Sequence, residues 1–229
     1  MNGSRFVLSA LLLTVPCAFA QEPARDGARP AGAREAAAPQ GAPLTFHLAG
    51  VQEDTAAKLQ EALAAIAHDV FVCPDCSAEK REAGECEACE TELTAERRPT
   101  LAKIQLDAKT GSAVLTPARG AVLRLNDLDR ALRAGKASID REKLPLAGAA
   151  LVYTGAHSQD DAVALQKAFR EAGHADAVAT FDAESSEVHL TTRSGKLSWS
   201  QGTDVGAKLS APLRLVDAVW APRQRGRAS

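Results

Sequence analysis

Two Cys-x-x-Cys pairs stand within seventeen residues, Cys73-Pro74-Asp75-Cys76 and Cys86-Glu87-Ala88-Cys89, with nine residues between them. No other feature restricts the local fold so tightly. Each pair can chelate through a tight turn, and together they offer four thiolates to a tetrahedral ion. The nine-residue spacer suits a small zinc ribbon. Phe71-Val72 leads into the first pair and Glu92-Leu93-Thr94 leaves the second, as the strand arms of such a ribbon would. Some thirty residues cannot build a hydrophobic core of their own, and a bound metal replaces it. Two other readings of the same cysteines stay open here. Four cysteines in an exported chain allow three disulfide pairings, and a Cys-x-x-Cys can be a redox pair at a helix N-terminus. No helix with a clear apolar face starts at Cys76, which weighs against the redox pair.

Glu79, Glu82, Glu85, Glu87, Glu90 and Glu92 surround the cysteines. They read as a solvated loop surface, or more sharply as an acidic collar drawing cations toward the thiolates.

The fifth cysteine, Cys17, lies in an N-terminal segment with the pattern of an export signal. Arg5 supplies the basic start, and Phe6 to Val15 is an apolar run too short to span a bilayer. Pro16 breaks the run, and Ala18-Phe19-Ala20 is an A-x-A cleavage signal. Residues 1–20 are therefore expected to be a signal peptide, and the protein periplasmic or secreted. Thr14-Val15-Pro16 is a poor lipobox, so lipid anchoring through Cys17 is not expected. No later run is apolar and long enough for a membrane helix. Residues 21–43, rich in Ala, Gly, Pro, Arg and Glu, read as a disordered linker, and residues 222–229 as a disordered tail. The chain carries a formal net charge of -2, with no basic field for nucleic acid.

The remainder reads as α+β, with the same order of elements twice. Leu44 to Gly50 alternates as a strand, with Phe46 and Leu48 inward. A helix from about Glu53 to Ala67 carries Ala56, Leu59, Leu63 and Ile66 on one face. After Pro99 comes a hairpin, Leu101 to Asp107 and Ser112 to Thr116, around Lys109-Thr110-Gly111. Asn126 is a good N-cap for a helix bearing Leu128, Ala131 and Leu132, stopped by Gly135, and Ala137 to Leu144 reads as a strand. In the second half, Ala149 to Thr154 is a strand. Ser158 to Ala172 is a helix with Ala162, Leu165 and Phe169 on one face. Ala177 to Phe181 and Glu187 to Thr191 form a hairpin, Thr203 to Leu209 a weak helix, and Leu213 to Trp220 a last strand. The second half lacks some thirty residues that the first has between about Asp69 and Arg98. A duplicated unit with an insertion accounts for this. The expected fold is two ferredoxin-like βαββαβ sandwiches in tandem, with a zinc-ribbon-like insertion in the first.

Gly50-Val51 before a helix, Asp107 to Gly111 at the hairpin and Leu125 to Leu132 in a helix resemble heavy-metal-associated (HMA) domains. So do Thr154-Gly155, Leu165 and Phe169 in the second half. The resemblance implies an HMA-like domain over residues 44–146, with the ribbon at 69–98, and a second over 147–221. The family holds Cu(I) or similar ions with a Cys-x-x-Cys after the first strand. Here those places fall on Ser158 and Asp161, and on Glu53 and Ala56 or Gln52 and Thr55. None is a soft thiolate ligand, so both family sites are expected to be degenerate. The ribbon resembles the short heavy-metal-binding domain read as Cys-Pro-Met-His … Gly-Lys-Cys-Pro-x-Cys-Gly-Met-x-Leu. Cys76 stands where that family has histidine, and Glu90 and Thr91 where it has glycine and methionine. Ser77, after Cys76, likewise stands where such knuckles favour glycine. A structural site of four cysteines fits this set better than a soft transport site.

His47 and His189 fall on outward strand positions, and His157 stands beside Ser158 and Asp161; single surface histidines and helix capping account for them. No phosphate loop, nucleophile elbow or HExxH occurs. The expectation is an exported, non-enzymatic protein that binds Zn2+ or a similar ion through Cys73, Cys76, Cys86 and Cys89 and meets a protein partner through its sheets. The alternatives are an interaction module in which the ribbon is only a stabiliser, and a disulfide-stapled or thiol-redox protein.

Overall fold

The computed structural model describes residues 41–192 and 197–221. The expected signal peptide, Cys17, most of the linker and the C-terminal tail lie outside the described residues. Gly41 lies within them, and its amide donates to Pro117 O at 3.1 Å.

The first half contains β1 (Leu44–Ala49), α1 (Ala56–Ala64), β2 (Ala67–Val72), β3 (Glu79–Lys80) and β4 (Thr94–Pro99). It continues with β5 (Leu101–Asp107), β6 (Ser112–Pro117), β7 (Leu123–Arg124), α2 (Leu125–Ala134) and β8 (Ser138–Ile139). The second half contains β9 (Ala150–Thr154), α3 (Gln159–Glu171), β10 (Val178–Asp182), β11 (Glu187–Thr191), α4 (Trp199–Ala207) and β12 (Arg214–Trp220). The chain is mixed α and β with antiparallel sheets.

The strands form three sheets, ordered β5-β6-β1-β8, β10-β11-β9-β12-β7 and β3-β2-β4. In each half the strand that opens the half lies in the interior, and the hairpin that follows the first helix lies to one side. Small features also recur at matching places. Gly50 and Gly155 follow the opening strands with φ of +80° and +94°, a conformation that glycine adopts freely. Asp107 Oδ1 accepts from the Lys109 and Thr110 amides, and Asp182 Oδ1 from the Glu184 amide, so each hairpin turn is closed by an aspartate.

The apolar periodicity emerges as a buried face in each helix. Leu59 and Leu63 are buried on α1, Leu125, Leu128 and Leu132 on α2, and Ala162, Leu165 and Phe169 on α3. These side chains belong to one cluster that runs from Phe46 to Trp220 across both halves. The Phe46 and Trp220 rings meet edge to face with centroids 5.3 Å apart, and Trp220 Nε1 donates to Pro145 O at 2.8 Å. Both tryptophans are thus anchors: Arg141 lies over the Trp199 ring at 4.8 Å and also pairs with Asp129 at 2.7 Å.

Several element boundaries differ from expectation. α1 begins at Ala56, because Gln52 to Thr55 form a turn closed by the Gln52 amide to Thr55 Oγ1 and by Thr55 Oγ1 to Gln52 O. Asn126 is not the cap of α2 but lies inside it. Its amide is satisfied from the other half of the chain, by buried Asp217 Oδ1 at 3.0 Å, a partner that no local pattern announces. The strand expected over Ala137 to Leu144 shortens to β8 and a 3-10 turn at Arg141–Lys143. β7 pairs with β12 through Leu123↔Trp220 and Arg124↔Val219, adding a first-half strand to the second sheet. α4 is longer than its apolar content foretells, since two of its buried positions are glycines. A Cβ on Gly206 would lie 2.7 Å from Leu213 O and 3.0 Å from the Tyr153 ring. Close approach, not an apolar stripe, seats this helix.

Candidate metal centre

The cysteine segment departs from the body as a separate hairpin. β2 and β4 pair over six positions, from Ala67↔Pro99 to Val72↔Thr94, so the strand arms extend well beyond Phe71 and Thr94. β3 adds a short third strand through Phe71↔Lys80 and Val72↔Glu79. At the base, the Thr100 amide donates to Ile66 O at 2.8 Å, and His68 Nδ1 meets Thr100 Oγ1 at 3.3 Å. Burial, together with Arg98 and Arg81 nearby, pushes the His68 imidazole below its ordinary pKa.

At the far end the two Cys-x-x-Cys loops have the same backbone geometry. The Cys73 amide donates to Ala78 O at 2.9 Å and the Ser77 amide to Cys73 O at 2.9 Å. The Cys86 amide donates to Thr91 O at 2.9 Å and the Glu90 amide to Cys86 O at 2.8 Å. Both loops close through a left-handed residue just after the second cysteine, Ser77 with φ +58° and Glu90 with φ +54°. These are the places where the sequence lacks the glycine that such turns favour. A left-handed L-residue costs about 1–2 kcal/mol. Thr91 Oγ1 donates to Asp75 Oδ2, tying one loop to the other.

The loops bring all four sulfurs within 4.8 Å of one another. Cys76 Sγ and Cys86 Sγ are 3.6 Å apart. A tetrahedral ion with Zn–S near 2.3 Å places its sulfurs about 3.8 Å apart, so the donors fit such an ion in number, type and spacing. Cys73 and Cys86 are buried with Leu93, against Phe71 and Cys89. Cys76 is exposed and Cys89 intermediate. The four are free cysteines with no disulfide among them.

Electrostatics divide the four sulfurs. The amides of Ala88 and Cys89 turn toward the Cys86 sulfur and bring its pKa down to about 7. Cys89 is pushed up to about 12, first by the Cys76 sulfur, then by burial and by Cys73 and Cys86. Four sulfurs in so small a space resist losing all their protons together. A divalent cation reverses this, because a coordinating thiol is deprotonated outright.

The glutamates near the site divide. Glu87 pairs with Lys80 at 2.8 Å, and Lys80 also donates to Glu85 O at 3.2 Å. Glu79 and Glu96 share Arg98, at 2.6 and 2.8 Å. Part of the expected collar is therefore hairpin stitching. Lys80, Arg98 and the Asp75–Thr91 link escape a reading of the cysteines alone, since the strand register that pairs them is not visible in the spacing.

Among the described residues these cysteines are the group of three or more His, Cys, Asp or Glu that could converge on an ion. Asp161, Ser158, Gln52 and Thr55 make local turn and helix-start bonds. Asp161 Oδ2 accepts from the amides of His157 at 2.8 Å and Ser158 at 3.1 Å, at the start of α3. These bonds hold its pKa below the usual carboxylate value. Gln52 and Thr55 close the turn before α1. His47 pairs in register with Ser112 in the first sheet, and His189 with Thr180 and Val152 in the second, with Glu187 at 3.5 Å. Among the described residues no helix is long and apolar enough to cross a membrane. No family model, no curated protein and no solved structure matches this chain.

Proposed function

We propose that this is an exported, non-enzymatic metal-binding protein that holds Zn2+ through Cys73, Cys76, Cys86 and Cys89. The convergence of the four sulfurs within 4.8 Å carries the reading. Zinc is the ion that best fits four thiolates at these separations with no need for redox chemistry. The N-terminal export pattern and A-x-A signal support periplasmic or secreted placement. The strand orders β5-β6-β1-β8 and β10-β11-β9-β12 support two ferredoxin-like units in tandem. They are read as HMA-like modules whose own sites are degenerate, since Ser158 and Asp161, and Glu53 and Ala56 or Gln52 and Thr55, supply no soft thiolate. The sheets would then serve a protein partner.

One observation favours a second reading. Cys73 and Cys86 are packed against Leu93 like core residues, which suits a metal that only stabilises the ribbon of an interaction module. Metal content and thiol count test the first point. For the mature chain, residues 21–229, about one zinc with four thiols titratable after chelation is the expected result; no metal and no free thiols would sink the zinc reading and leave a disulfide staple. Exchange with labelled zinc separates the two roles: fast exchange supports loading and release, and slow exchange supports the stabiliser.

A further inference from the structure

The four sulfurs are alike in chemistry but not in access. Cys73 and Cys86 are 1% and 3% exposed, whereas Cys76 lies on the surface. A reagent arriving from solvent therefore meets Cys76 first. Its neighbour across the site is Cys86, whose sulfur lies 3.6 Å away on the other loop. A disulfide needs about 2.05 Å, so the two must close by roughly 1.5 Å. The loops are already tied to one another by Thr91 Oγ1 donating to Asp75 Oδ2. The two loops carry the same backbone bonds and each buries its first cysteine, so loop geometry does not choose between pairings. The 3.6 Å contact between Cys76 and Cys86 makes the choice.

We propose that the site is an oxidation-gated metal store, in which a disulfide oxidant attacks at Cys76, a Cys76–Cys86 disulfide forms across the two loops, and the ion leaves. This rests on the metal-binding reading above. The Cys76 thiolate attacks one sulfur of an external disulfide, forming a mixed disulfide and expelling one thiolate. The Cys86 thiolate then attacks the Cys76 sulfur and expels the second. The two cysteines lose two electrons, the external disulfide gains them, and Zn2+ is released unchanged because only two thiolates remain. The new cross-link spans residues 76 to 86 and takes over the role of the ion in holding the loops together. The ribbon thus remains closed while empty, and reduction restores four thiolates for the next ion.

Sequence makes the test clean, because Lys80 and Arg81 lie between the two Cys-x-x-Cys pairs. Trypsin separates the pairs, so a cross-loop disulfide joins two peptides and an internal one does not. The full chain, loaded with zinc and with its zinc content measured first, is treated with oxidised glutathione. Released zinc is followed with a chromogenic chelator, and remaining thiols are blocked with N-ethylmaleimide before digestion and fragmentation. Expected are release of all the bound zinc, a Cys76–Cys86 cross-link and blocked Cys73 and Cys89. Internal disulfides, any other cross-loop pairing, or oxidation without zinc release would overturn the proposal. In parallel, brief alkylation of the zinc-loaded wild-type chain should label Cys76 ahead of the others; earlier labelling of Cys73 or Cys86 would also overturn it. A chain that takes up no zinc before the oxidant is added fails the metal-binding reading itself, a result read before the redox step begins.

Discussion

The body and the ribbon of this protein differ in what they bury. The body buries a continuous apolar cluster in which Phe46, Tyr153 and Phe169 are fully enclosed. The ribbon buries Cys73, Cys86 and Leu93, with Phe71 and Cys89 partly covered. Its arms are exposed along most of β4. Buried apolar surface contributes about 25 cal/mol per Å2, so the body can stand on burial while the ribbon cannot. On the metal-binding reading proposed above, ligation replaces the core that the ribbon lacks, and its stability becomes a property of the ion.

The largest effect should come from taking the ion away. Structural zinc contributes on the order of 10 kcal/mol to small metal-folded units. A strong chelator under reducing conditions should abolish amide-exchange protection in β2 and β4 while β9, β11 and β12 keep theirs. Loss of protection throughout would erase the contrast between the two regions.

A smaller effect tests how the halves of the body are joined. Asp217 Oδ1 accepts from the amides of Asn126 and Ala218, and so caps α2 from across the fold. Asp217→Ala should destabilise the body by about 1–2 kcal/mol in denaturant melts and leave zinc content unchanged. Burial raises the pKa of Asp217, with the Asn126 and Ala218 amides opposing it. Between its unfolded and folded pKa values the folded state therefore holds more proton. That contribution is fully present below the unfolded pKa and lost as pH rises through the folded one. Asp217→Asn keeps an acceptor oxygen, so it should flatten this pH slope at little loss of stability. An unchanged slope would show that another group sets it.

The smallest effect sharpens the comparison inside the ribbon. Ser77 and Glu90 hold left-handed turns without glycine. Ser77→Gly with Glu90→Gly should relieve a few tenths to about 1 kcal/mol, part of the gain being offset by the greater freedom of glycine in the unfolded chain. Zinc release should slow by up to about fivefold, with body stability unaltered. Faster release would mean that the existing side chains brace the loops in some other way.

The cysteine cluster was legible in the cysteine spacing for a physical reason. A chelating loop is local: the Cys-x-x-Cys spacing lets two sulfurs reach one ion, whereas the left-handed turns at Ser77 and Glu90 run against what those residues prefer and come from the structure. Strand and helix faces were legible on the same footing, as Phe46 and Leu48 or Ala162, Leu165 and Phe169 show. What lay beyond reach was every bond between distant segments. Nothing local announces that Asp217 caps α2, that Leu123–Arg124 extends the second sheet, or that Gly202 and Gly206 let α4 settle on Tyr153.

By itself, then, the chain determined its periodicities and its ligand spacing, because these depend on neighbours a few residues apart. Only the tertiary structure decided which sulfurs are buried and which is open, how the loops face one another, and that both halves share one core. Burial and facing depend on what packs from elsewhere in the chain, and that information appears only when the segments meet.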